Sequence, residues 1–134
     1  MRFALIAAVL ALALPTAAAP FADRADLRVT YWPEGRGTGT PLRWTLRCEP
    51  TGGSLPRAAD ACRKLAAVPN PFAPPPKDQV CTEIYGGPQE AIVAGRLGAR
   101  RIWIRLGRSN GCEIARFERL RFLVPAFSGG GGPA

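Results

Sequence analysis

The sequence predicts an α+β domain, an antiparallel sheet of about five strands with one long and one short helix on one face and two disulfides. Three observations lead there. Five short segments alternate apolar and polar side chains at the period of a strand. Apolar residues recur at helical spacing after Ser54, and a second, shorter helix fits around the last cysteine. The connections are mostly short and rich in Gly and Pro, as antiparallel neighbours joined by tight turns require.

Each element has its own reason. Leu27, Val29 and Tyr31 alternate with Arg28, Thr30 and Trp32, so 26–32 reads as a strand. A Gly/Thr-rich connector follows over 33–41. Leu42, Trp44 and Leu46 alternate with Arg43, Thr45 and Arg47, a second strand running into Cys48. Trp32 and Trp44 are read as core or sheet packing. After a turn at 49–53, Ser54 is placed as the cap of a helix over 55–67 with Pro56 in its first turn. Its inner face carries Cys62. Five prolines lie between Pro69 and Pro76, which predicts a stiff, extended approach to Cys81. Gly86-Gly87-Pro88 is a turn. Ala91–Leu97 and Arg100–Leu106 are two strands joined at Gly98-Ala99; Ile102, Ile104 and Leu106 face one way and Arg101, Trp103 and Arg105 the other. A short helix is expected within 109–118 around Cys112. Alternation of Leu120, Phe122 and Val124 with Arg119, Arg121 and Leu123 predicts a fifth strand.

The first residues bear on compartment. Arg2, the apolar run Phe3–Leu14, the break at Pro15 and the small residues after it read as a secretory signal over 1–19, too short to span a bilayer. One domain over 20–127 follows, then a Gly-rich tail over 128–134 that is expected to be disordered. The expected location is extracellular, with no membrane attachment after signal cleavage. In an oxidising compartment four cysteines read as disulfides rather than metal ligands. They allow three pairings, of which neighbour pairing favours Cys48–Cys62 and Cys81–Cys112. In the chain-entropy model, loops of 14 and 31 residues contribute roughly 3 and 3.7 kcal/mol.

The 134 residues carry a net charge of +8, and Arg outnumbers Lys sixteen to two. The chain has no histidine, which removes the commonest general base and zinc ligand. No nucleophile elbow, phosphate loop or paired-carboxylate motif is present. No enzyme activity, metal or cofactor is therefore expected.

Several stretches together resemble the Streptomyces subtilisin inhibitor family. They are Trp44–Cys48, Ala61–Leu65, Cys81-Thr82-Glu83-Ile84-Tyr85, Gly95 with Arg100-Arg101-Ile102, and Ser109-Asn110-Gly111-Cys112-Glu113-Ile114. The resemblance covers roughly 26–124, and the order of the cysteines is its most specific part. It implies a secreted, homodimeric inhibitor of serine proteases of the subtilisin type, without cofactor, bridged Cys48–Cys62 and Cys81–Cys112. It implies a reactive bond at Glu83–Ile84, so that Cys81, Thr82 and Glu83 are P3, P2 and P1, Ile84 and Tyr85 are P1′ and P2′, and Gln79 and Val80 extend the contact. Asn110 is expected to brace the loop from beneath through its amide. The family usually shows Met or Lys at P1, whereas this chain has Glu83, which points to a subtilisin-like or glutamate-preferring target. The family's turn after the aromatic is one residue shorter, and Gly86-Gly87 predicts added backbone freedom there.

Trp103 on an Arg-rich sheet face suits the implied homodimer interface. The alternative function is a secreted binding module that uses this face on anionic polymers. No nucleic-acid partner is expected, because the Arg excess matches the Ala, Gly and Pro excess of a GC-rich coding bias.

Overall fold

A computed structural model describes residues 24–126. The expected signal peptide and the tail from Ser128 lie outside the described residues.

Strand β1 (Ala25–Trp32) is the axis of the sheet. Strand β2 (Leu42–Cys48) pairs antiparallel along one side of it and β3 (Glu90–Leu97) along the other. Strand β4 (Arg100–Leu106) closes the far edge, giving the order β2-β1-β3-β4. The register follows the alternation. Leu27 faces Leu46 and Gly95, and Val29 faces Trp44 and Val93, so one side of the sheet collects the apolar set. That side is the core: Leu27, Val29, Tyr31, Leu46, Val93 and Leu106 are all buried.

Helix α1 (Ala58–Ala67) packs on β2, and helix α2 (Gly111–Arg119) packs on β4. The two disulfides are Cys48–Cys62 and Cys81–Cys112. The first ties the end of β2 to the inner face of α1. The expected long and short helices have 10 and 9 residues and are nearly equal.

Two expectations are corrected. The sheet has four strands among the described residues, not five. Residues 120–124 do not form a strand; Arg121–Leu123 is a 3-10 turn that continues from the end of α2. The buried residues there are Phe117, Leu120, Leu123 and Val124, a spacing of three that belongs to a helical trace. The alternation in this stretch coincided with that spacing at Leu120 and Val124 and misassigned Phe122.

The second correction concerns Ser54, which does not cap α1. Its hydroxyl accepts from Thr45 N at 3.0 Å, and its own N–H donates to Thr45 Oγ1 at 3.1 Å. Gly52 exchanges backbone hydrogen bonds with Arg47, and Leu55 N donates to Thr45 O at 2.9 Å. Residues 52–55 thus run beside β2 and satisfy its free edge, so α1 begins only at Ala58. Arg57, in the left-handed region at φ 56, makes the corner.

Gly95 sets how closely β3 approaches β1. It has φ 142, and a Cβ there would lie 2.0 Å from the Asp26 carbonyl oxygen. Gly95→Ala is expected to cost at least about 1–3 kcal/mol for the backbone conformation alone. Urea denaturation should show this as a lower midpoint with an unchanged slope.

Candidate functional site

Residues 73–76 and 79–87 have no regular structure, and the stretch after Gln79 projects from the domain. Val80 is 95% exposed, Ile84 62% and Tyr85 68%. Gln79, Thr82 and Glu83 are also exposed, whereas Cys81 is half-buried where it turns back to its bridge. An apolar side chain as open as Val80 or Ile84 gains little for the fold, because most of its area stays in water. These side chains therefore await a partner or serve none.

The loop rests on the N-terminal end of α2. Cys81 is bonded to Cys112 in the first turn of that helix. One residue on, the Thr82 carbonyl accepts from Gly111 N at 2.9 Å. That N–H has no partner within its own helix, as first-turn donors never do. The fit is close: a Cβ on Gly111 would lie 2.0 Å from Thr82 Oγ1. Glycine at 111 leaves the Thr82 side chain its place against the first turn of the helix.

Beyond the centre of the loop, Gly86 is held twice by one residue. Its N–H donates to the Arg108 carbonyl at 2.7 Å, and its carbonyl accepts from Arg108 Nε at 3.0 Å. Arg108 is itself fixed. Its guanidinium donates to Glu118 at 2.7 Å and lies over the Phe117 ring at 5.4 Å, and only 12% of its side chain is exposed. Residues 83–85 are thus spanned between two anchors, Thr82 on Gly111 and Gly86 on Arg108.

This geometry changes two expectations. Gly86 does not loosen the turn, because both of its backbone polar groups are bonded. Its lack of a side chain is a packing requirement: a Cβ would lie 2.8 Å from Ile114 Cδ1. Asn110 does not reach the loop with its amide among the described residues. Its side-chain oxygen accepts from Glu113 N at 3.0 Å and caps α2. Its contribution to the loop is indirect, by fixing the start of the helix that Gly111 and Cys112 begin.

Arg108 is the residue that sequence reasoning missed. It follows the end of β4 with no periodicity to mark it, and its partner Glu118 is ten positions away on another element. Behind Tyr85 and Gly87 lies a polar depression in which Arg36, Arg105, Arg108 and Arg116 meet Glu90 and Glu113. Among the described residues there is no cluster of three or more potential metal ligands, and no helix is long and apolar enough to cross a membrane.

A family model described as subtilisin inhibitor-like matches residues 26–105, which includes the projecting loop and the first three cysteines. The chain belongs to this family. Among solved structures, one similar chain is Streptomyces caespitosus sermetstatin, crystallised in complex with Bacillus licheniformis subtilisin. It is 26% identical, with a TM-score of 0.49, and the similarity covers 78% of this chain and 98% of that one. No curated protein matches the chain. The part of this subtilisin inhibitor-like chain that lies beyond the matched residues includes Arg108, Gly111 and Cys112, the platform on which the loop rests.

Two variants separate the anchors. Arg108→Ala removes a charged hydrogen bond of a kind that contributes about 1.5–3 kcal/mol and leaves the Gly86 carbonyl without its donor. Proteolysis of the loop is expected to accelerate by roughly ten- to a hundredfold, measured as the half-life of the intact chain with a broad-specificity protease. The double replacement Cys81→Ser with Cys112→Ser should lower stability by about 2–4 kcal/mol in denaturant titration and expose the same segment to cleavage.

Proposed function

We propose that this chain is a secreted inhibitor of serine proteases that presents residues 79–85 as a substrate-like strand with its scissile bond at Glu83–Ile84. The observation that carries the reading is the loop clamped at both ends while its central side chains stand in solvent. Membership of the subtilisin inhibitor-like family supports it.

A protease binds its substrate extended, through main-chain hydrogen bonds and a pocket for the residue before the cut. A free peptide loses conformational freedom on binding; a loop already held at Thr82 and Gly86 loses much less, and affinity rises accordingly. The same clamps oppose completion of the reaction. Were the bond after Glu83 cut, the new amine of Ile84 would stay close to the acyl group, because Tyr85 leads directly to Gly86 on Arg108 and Thr82 is fixed beside Cys112. Religation then competes with loss of product. Interfaces of this kind bury about 1,600 Å² and include some of the tightest known.

Glu83 selects the target. Enclosing a carboxylate without a partner costs several kcal/mol, and each 1.4 kcal/mol is about tenfold in affinity. A pocket with an acidic floor should reject it. A pocket that supplies a cation, or a broad and partly hydrated subtilisin-type pocket, should accept it.

Titration of a serine protease panel that includes glutamate-preferring, subtilisin-like and trypsin-like enzymes tests this reading. Inhibition of either of the first two classes is expected, together with a chain nicked after residue 83 on mass analysis. Nanomolar inhibition of trypsin by the native chain would contradict the assignment of Glu83. Glu83→Lys is expected to transfer inhibition to trypsin-like enzymes by at least a hundredfold, as removal of an unpaired buried charge implies. Ile84→Pro should abolish inhibition while leaving thermal stability within about 0.5 kcal/mol of the parent, since residue 84 is exposed.

A further inference from the structure

The platform under the loop contains a chemically labile pair of residues. In Asn110-Gly111 the side-chain amide is open to attack by the next main-chain nitrogen, because glycine puts no Cβ in the way. The other asparagine of the chain, Asn70, precedes Pro71, whose nitrogen has no proton to lose. Asn110 is therefore the one asparagine suited to this chemistry. Glycine at 111 is also what the packing demands, since a Cβ there would lie 2.0 Å from Thr82 Oγ1. The seat of the loop thus requires the very residue that makes Asn110 labile.

Three hydrogen bonds hold the reacting groups apart. Asn110 Oδ1 accepts from Glu113 N at 3.0 Å, and the Asn110 main-chain carbonyl accepts from Ile114 N at 2.9 Å. Gly111 N donates to the Thr82 carbonyl at 2.9 Å. Ring closure needs that nitrogen deprotonated and brought over Cγ of Asn110. In the folded chain Asn110 is extended, with φ −155 and ψ 175. Rotation about its ψ swings the main-chain carbonyl away from Ile114 and lifts Gly111 N from Thr82. Rotation of its side chain gives up the cap. Two of the three bonds belong to the helix and the third to the loop, so reaction requires both to open locally.

We propose that Asn110 is a deamidation site whose rate is set by detachment of the loop at Thr82. The Gly111 nitrogen loses its proton to the solvent and forms a bond to Asn110 Cγ. The Cγ–NH2 bond breaks, a proton returns from the solvent, and ammonia leaves a five-membered succinimide. One water then opens the ring. Addition at Cγ gives aspartate at 110, and addition at the main-chain carbonyl carbon gives isoaspartate. Aspartate still caps α2, and its charge suits the helix N-terminus. Isoaspartate routes the main chain through Cβ and inserts one carbon before Gly111. That displaces the Gly111 N–H and Cys112, the two attachments on which the loop rests. The lifetime of the platform is thereby tied to how often the loop lifts, whatever the loop binds.

The test is incubation in warm, mildly alkaline buffer, with peptide mapping by mass and fragmentation that separates aspartate from isoaspartate at 110. Three samples are compared: the native chain, the Cys81→Ser, Cys112→Ser variant, and a free peptide spanning 105–116 with Cys112→Ser. The native chain is expected to react at least about a hundredfold more slowly than the peptide. The variant should react at least about 30-fold faster than the native chain, since loss of the bridge favours detachment by that factor or more. Thermal melting establishes that the variant is folded. In the native chain itself, deamidation and hydrogen exchange of the Gly111 N–H should rise together as urea is added, because both need the same opening. Isolated isoaspartate chain should lose its loop to a broad-specificity protease faster than the aspartate chain. Equal rates in the native chain and the peptide would overturn the proposal. So would a folded variant no faster than the parent, or deamidation that does not follow Gly111 exchange.

Discussion

The bond between Cys81 and Cys112 is the constraint from which the arrangement at the loop follows. A segment with no regular structure, led in by a proline-rich stretch, would otherwise sample many conformations, and ordering it costs on the order of 1–2 kcal/mol per residue. The bridge attaches it to the first turn of α2, where an unpaired helix N–H is available for the Thr82 carbonyl. The helix can serve as a base because it is itself fixed: Phe117 is fully buried, and Leu120 and Leu123 continue its inner side into the core. Rigidity passes from the core through α2 to the loop, and from β4 through Arg108 to Gly86.

Arg108 shows how a charged residue can do what an apolar one cannot. Its stem is enclosed, its guanidinium joins the face of Phe117, Glu118 and the Gly86 carbonyl, and its own carbonyl receives the Gly86 N–H. A planar group with several donors in fixed directions can bridge a helix and a loop at once. The neighbouring glycines complete the arrangement by absence. Gly86 and Gly111 leave room for Ile114 and Thr82, so backbone meets backbone at the two anchors. Exposed Glu83 then stands between these anchors, free of any contact that the fold requires of it.

The two faces of the sheet divide the molecule's roles. The inner face is committed to packing, and its register with α1 is fixed by Cys48–Cys62. The outer face carries little that the fold requires and concentrates positive charge around Trp103. The loop and the outer face are built from separate residues, so a change in one need not disturb the other.

Much of this was legible from residue order alone. Four strands and both helices follow from alternation and helical spacing, because side-chain period is a local property; the four cysteines allowed three pairings, of which neighbour pairing and the family resemblance favoured the two that form. The resemblance carried by Cys81–Tyr85 with Ser109–Ile114 pointed to the loop. The sequence misled where two periods coincide, at Leu120–Val124, and where a residue suited to capping, Ser54, found a better partner in Thr45 on β2. It was silent on Arg108 and on the indirect role of Asn110, and it saw the Arg-rich face from β4 alone, whereas strand pairing adds arginines from the other three strands. Those features depend on which segments become neighbours in space. Neighbourhood of that kind is set by burial of the whole apolar face at once, so only the tertiary structure decides it.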